Sequence, residues 1–319
     1  MSKRFTIIQG GLSDRRPNAA AVALRAAHWR VRLARPGELD EGDLVAWRAF
    51  FDGLPAADPF ADPDYLHSAA SRAAGPDEVT FALLFASAED GAEALCGVVP
   101  LLLPHPFWGG SMIRLWQPPL APHPVEPAVR TEVAAAAFEA LIARLRASRP
   151  RATLRLEGLR ACGALVAALR DDSRLDLAER PQPKRIPESS FVDLRPPSIP
   201  TTVERAEGPA IRDAVERFLL ADARASDTPL LSDPSDSTLV RVVTRLFARR
   251  GQAEVELGER EGRVVRAAIR LGAPGARITW RTIGRQDAPP RAETIGLDLR
   301  RSPEADAGAR PARMRLIGG

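Results

Sequence analysis

Lysine is almost absent from this chain. Of its 319 residues only Lys3 and Lys184 are lysines, so the 45 basic side chains are nearly all arginine. Set against 41 acidic residues they leave a formal charge of +4 and a pI of about 9.7. With no clustered patch, that basicity is no nucleic-acid footprint. The arginine bias, with abundant Ala and Pro, fits the coding habit of a GC-rich bacterium. Long apolar runs are missing too. The longest, "VVPLLLP" (Val98–Pro104), falls far short of the about 20 residues a spanning helix needs. The opening "MSKRFTIIQGGLSDRRPN" carries an early basic pair, but Gly and Asp interrupt its apolar stretch, so no secretory signal is expected and a cytoplasmic protein is. Cysteine is scarce: Cys96 and Cys162 form no CxxC pair, and both are expected to be buried thiols in a reducing compartment. His28, His67, His105 and His123 lack metal-ligand spacing, so no metal is expected. No Gly-x-Ser-x-Gly elbow occurs, which removes that class of hydrolase.

What is present is a globular composition, 45% apolar and 27% charged, at a length that suits two domains. Residues 1–28 read as an arm, with a short helix over Ala19–Ala27. A first unit over 29–195 follows. It begins with a strand at Trp29–Pro36 and helices at Asp43–Phe51 and Tyr65–Arg72, the second entered through Asp62-Pro63-Asp64 as cap and first-turn proline. Next come the hairpin "EVTFALLFAS"/"EALCGVVPLLLP", a strand at Ser111–Gln117 and a long helix from about Glu126 to Ser148. A strand at Thr153–Leu156, a helix at Ala161–Leu169 and strands at Leu175–Ala178 and Phe191–Leu194 close the unit. The proline-rich stretch 196–202 reads as a linker. In the remainder, 203–319, helices at Val203–Ala225 and Ser237–Arg250 precede the strands "QAEVELGER", "RVVRAAIRLG" and "ARITWRT". The run α-α-β-β-β therefore occurs twice, as after a tandem duplication.

That order resembles the GNAT acyltransferase fold, and particular phrases resemble its CelD-like branch. "LCGVVPLLL" is similar to a third strand with proline followed by leucine, and "PFADPDYLHSAA" to the second-helix phrase. "FARRGQAEVELGEREGRVVRAAIRL" is similar to a glycine-led strand and its successor. "ITWRTIG" resembles a strand carrying Trp-Lys, with Arg281 in the lysine's place. The resemblance spans about Trp29 to Leu299. It implies an α/β fold of tandem GNAT-like domains, with mixed, mostly antiparallel sheets flanked by helices. It implies an acyltransferase of GNAT N-acetyltransferase type moving an acyl group from acetyl-CoA or another acyl-CoA to an amine or sugar-linked acceptor, as in polysaccharide production. The alternative is a degenerate, non-catalytic scaffold or interaction protein. A tRNA partner is expected only if the chain is FemAB-like. The order of elements does not choose an oligomeric state.

Such a site needs backbone N–H groups at a helix N-terminus to hold the pyrophosphate. In the first unit the corresponding segment "QPPLAPHPVEP" (Gln117–Pro127) has five prolines and no glycine, and each proline removes a donor. That unit is expected to be a scaffold or acceptor wall. In the second unit the segment is "WRTIGRQDAPPRAETIGLDLR". Trp280, Arg281, Thr282 and Ile283 are the candidate donor strand, with Thr294, Ile295 and Gly296 leading into a helix opened by Leu297-Asp298-Leu299. Asp287 and Glu293 are the candidate bases. After Leu299 no residues remain for the helix, strand, helix and strand pair of a complete second unit, so that unit is expected to be incomplete. Arg241, Arg245 and Arg249 align on one helix face, and Arg266 and Arg270 on a strand face. Either set could grip an anion or simply meet solvent.

Overall fold

The computed structural model describes residues 28–55, 57–73, 78–87, 93–104, 112–149, 153–170, 175–181, 202–284 and 294–301. In chain order the elements are β1 (His28–Ala34), α1 (Glu41–Asp52), α2 (Pro63–Ala70), β2 (Glu78–Ser87), β3 (Glu93–Leu103), β4 (Met112–Leu115), β5 (Ala128–Val129), α3 (Ala134–Ser148), β6 (Thr153–Arg160), α4 (Ala164–Arg170) and β7 (Leu175–Pro181). The second run is β8 (Thr202–Ala206), α5 (Ile211–Ala225), α6 (Pro234–Arg249), β9 (Ala253–Arg260), β10 (Arg263–Leu271), β11 (Ile278–Ile283) and β12 (Thr294–Arg301). The fold is α/β, with two sheets flanked by helices. One is eight-stranded, with path β1-β2-β3-β4-β6-β12-β7 and β5 beside β3. The other is four-stranded, β11-β10-β9-β8. Every pairing is antiparallel except β4 with β6.

The near-continuous apolar runs of β2 and β3 reflect burial on both faces. Phe81 and Leu83 belong to one core, with α1, α2 and the second run; Ala82 and Leu84 belong to the other, under α3 and α4. The first core is common to both runs, joining Trp47, Phe60, Tyr65 and Phe81 to Phe218, Phe247, Leu257, Ile269 and Trp280. Proline and aspartate set the helix starts, at α2 as expected and at α6 three residues ahead of the expected Ser237. Asp62 caps α2 by accepting from the Asp64 amide, with Pro63 in its first turn; Asp233 and Pro234 do the same for α6.

Three expected elements differ. The long helix begins at Ala134, not near Glu126, because Ala128 and Val129 pair with Val98 and Gly97 of β3. The Val203–Ala225 helix starts at Ile211. Residues 202–206 are β8, paired with β9, and Gly208 at a φ of 58° breaks the chain between them. Leu297-Asp298-Leu299 opens no helix. It lies in β12, which leaves the second run and inserts between β6 and β7 of the first sheet. There Leu297 and Leu299 are fully buried in the core under α3 and α4, while Asp298 on the opposite face pairs with Arg155 at 2.7 Å. Cys96 is buried as expected, but Cys162 is exposed. The expected helix at Ala19–Ala27 and strand at Phe191–Leu194 lie outside the described residues.

Candidate functional site

β4 and β6 are parallel neighbours only over Met112–Arg114 and Thr153–Arg155. Beyond that β4 stops at Leu115 while β6 continues to Arg160, so the strands part. The proline-rich segment 117–127 fills the gap. Gln117 bridges it: its Nε2 donates to the carbonyls of Val125 (3.3 Å) and Glu157 (3.2 Å), and its Oε1 accepts from the Val125 amide (2.8 Å). Pro124 lies directly on Gly158, whose φ is 79° and whose missing Cβ is the space the proline ring uses. Glu126 locks the far end, accepting from the Arg160 amide at 2.6 Å and from its Nε at 2.8 Å. These backbone and side-chain contacts hold the segment against β6 along the gap.

The plug also meets the second run. Leu120 carries a positive φ of 62°, a strained conformation for a leucine. Its carbonyl accepts from Trp280 Nε1 at 2.9 Å. Tyr65 Oη donates to the neighbouring Pro119 carbonyl at 2.9 Å. The rings of Phe60, Tyr65 and Trp280 pack edge-on and tilted, with centroids 5.0 to 6.3 Å apart. Burial pushes the Tyr65 phenol above its ordinary value, with the Trp280 side chain and the Arg281 charge opposing, so it stays protonated as a donor.

Trp280 is also where the ladder breaks. Arg281 faces Ile269 and Thr279 faces Arg270, so the register between β10 and β11 skips Trp280. A bulge of this kind re-aims the backbone groups of the extra residue. β11 is an edge of its sheet among the described residues. Of the expected donor strand, Trp280 and Ile283 are buried, Arg281 is half-buried and Thr282 is exposed. Arg281 lies close enough to Asp236, in the first turn of α6, to oppose the upward push that burial and then Asp233 give that carboxyl.

The structure does not bring the two halves of the expected cradle together. Trp280–Ile283 are in β11; Thr294, Ile295 and Gly296 are in β12, paired with Arg160, Leu159 and Arg180 in the other sheet. None of those three stands at a helix N-terminus. Asp287 and Glu293 lie outside the described residues.

The arginine faces are partly neutralised. Arg241 forms a fork with Glu216 at 2.7 and 2.9 Å. Arg270 bonds Glu254 at 2.7 Å and Glu256 at 3.0 Å, and Arg277 pairs with Glu254 and Glu207. No group of three or more His, Cys, Asp or Glu side chains that could hold a metal occurs among the described residues. No described helix is long and apolar enough to cross a membrane.

The junction between the runs holds a charge cluster that no local sequence pattern announces. Arg250, just past α6, bonds the buried Asp62 at 2.8 Å and lies 3.3 Å from Asp64, while Arg48 reaches Asp64 at 2.9 Å. Burial raises the Asp62 carboxyl to about 6 against the pull of Arg250. The Asp-Pro-Asp phrase signals a helix start; its second use, holding an arginine 186 to 188 residues away, leaves no local signal.

No family model matches the chain, and no curated protein matches it. Solved structures do resemble it. A tandem GNAT protein from the clavulanic acid biosynthesis pathway, solved without acetyl-CoA, is 11% identical over 82% of this chain and 80% of its own, at a TM-score of 0.31. The ribosomal-protein-S18-alanine N-acetyltransferase of Escherichia coli is 19% identical over 48% of this chain and 82% of its own, at 0.27. The C-terminal domain (DUF2156) of a protein named as a lysylphosphatidylglycerol synthetase, from Agrobacterium fabrum, is 12% identical over 78% of this chain and 69% of its own, at 0.37. Likenesses at this level assign no activity to the chain.

Proposed function

We propose that the chain is a GNAT-type acyltransferase in which the second run receives the acyl-CoA and the first serves as scaffold and acceptor wall. The observation that carries this is β11, an edge strand with a bulge at Trp280. An unpaired strand edge offers alternating N–H and C=O groups, and the two amides of a pantetheine arm can pair with it as a further strand would. A bulged residue breaks the alternation, so its N–H is free to point at a thioester carbonyl and stabilise the developing oxyanion. In this reading Trp280, Arg281, Thr282 and Ile283 form the donor strand. The unit over 29–195 is the scaffold, and the unit over 203–319 lends its last described strand to the scaffold's sheet. An amine or sugar-linked acceptor, a role in polysaccharide production and a place in the CelD-like branch rest on the sequence resemblance. A cytoplasmic location rests instead on the two free cysteines, which suit a reducing compartment.

Calorimetric titration with acetyl-CoA, with desulfo-CoA beside it, tests the proposal. Saturable micromolar binding supports it; no heat and no thermal stabilisation at millimolar ligand overturns it. The non-catalytic scaffold is the second reading. It draws on the plug in the first cleft and on β12 standing where a helix N-terminus was expected. The null titration is its expected result.

A further inference from the structure

We propose that His123, set by Asp58, is the general base that takes the proton from the acceptor nucleophile, a role that rests on the reading of β11 as donor strand. His123 stands on the plug, next to the Pro124 that seats on Gly158. Its Nδ1 lies 3.1 Å from the Pro124 carbonyl and 3.6 Å from Asp58 Oδ2. Two oxygens on one side of the ring hold the proton on Nδ1, which leaves the lone pair on Nε2. Nε2 is engaged by none of the described residues, and the side chain is one-third exposed.

The ring is also oriented. Phe60 packs edge-on against it at 5.4 Å and 87°, and the same Phe60 lies 6.3 Å from Trp280. Three residues before His123, Leu120 holds its positive φ while its carbonyl takes the Trp280 indole proton. The strained tip of the plug is thereby pinned to the Trp280 side chain of the donor strand, and the histidine follows three residues on, with Phe60 between its ring and Trp280. Of the other described histidines, His28 is exposed and pairs with no carboxylate among the described residues, and Nε2 of His67 is engaged by the Pro36 carbonyl at 3.0 Å.

The step balances without a further reagent. The acceptor nitrogen forms a C–N bond to the thioester carbon while Nε2 takes one of its protons. The C–S bond then breaks, and the coenzyme A thiolate leaves and is protonated by the imidazolium. The nearby Asp58 carboxylate steadies that cation in between.

Bromoacetyl-CoA tests this with no need to know the acceptor. Bound along β11, its CH2 is open to displacement of bromide by a neighbouring nucleophile. We expect one adduct, on His123 within the tryptic peptide Leu115–Arg130, suppressed by excess CoA and absent in His123→Gln. Asp58→Asn should slow labelling at least tenfold at unchanged half-saturation, a split that a merely structural Asp58 would not produce. Acetyl-CoA binding by calorimetry should survive in both variants. CoA-protected labelling at another residue, or saturable binding with His123 unlabelled, overturns the assignment and leaves the acyltransferase reading standing. Absence of saturable binding overturns both.

Discussion

Replacing Gly158 by alanine tests whether the plug is wedged in the cleft or merely lies over it. Gly158 has a φ of 79°, and a Cβ built there would fall well inside the contact radius of Pro124 Cβ. The left-handed backbone alone costs an alanine roughly 1–2 kcal/mol. Forcing a methyl into occupied space adds about 1–3 kcal/mol, since either the proline ring or β6 must move. Urea denaturation should therefore show a loss of about 2–5 kcal/mol for Gly158→Ala. The two contributions separate in a double-mutant cycle. Pro124→Gly removes the ring that the methyl strikes, so in that background Gly158→Ala should cost only the backbone share, about 1–2 kcal/mol. Strict additivity of the two substitutions would refute the packing argument, because it would mean the positions do not touch.

The charged junction between the runs should behave as a buried pair. Arg250→Met leaves Asp62, only 1% exposed, without its cation, and should lower stability by about 3–5 kcal/mol in urea melts. Asp62 also sets a pH dependence. Its carboxyl is raised from 3.8 to about 6 in the folded chain, so between those values the folded form holds more protons and stability falls as pH rises. By pH 6.5 the loss from this group should approach roughly 3 kcal/mol relative to pH 3.5. Denaturation at the two pH values, compared between the parent chain and Asp62→Asn, checks it; a loss of the same size in the variant refutes it. Leu297→Ala, at a fully buried position in β12, should cost about 2–5 kcal/mol. Hydrogen exchange should show β6 and β7 losing protection with it, and protection unchanged there would place β12 elsewhere.

Much of this protein was legible locally. The Asp-Pro start of α2, the two-sided apolar strands of β2 and β3 and the repeated α-α-β-β-β run all follow from capping, periodicity and turn chemistry, which act within a few residues. The donor-poor plug was legible as well, because proline lacks an N–H wherever it sits. β12 shows how a local signal can be present and misread. Ile295, Leu297 and Leu299 alternate with Thr294, Gly296 and Asp298, a strand period hidden by the expectation that a helix should follow the loop. β8 was missed in the same way, in the β-branched pair Thr202 and Val203 ahead of Gly208. What the sequence by itself determined was the inventory of strands, helices and missing donors. Only the tertiary structure decided their partners: β12 beside β6 across more than 130 residues of chain, Arg250 on Asp62, Trp280 on Leu120, and His123 beside Asp58. A local pattern states which face of an element must be buried, but not which distant segment will bury it. That choice is made only when the whole chain closes on one common core.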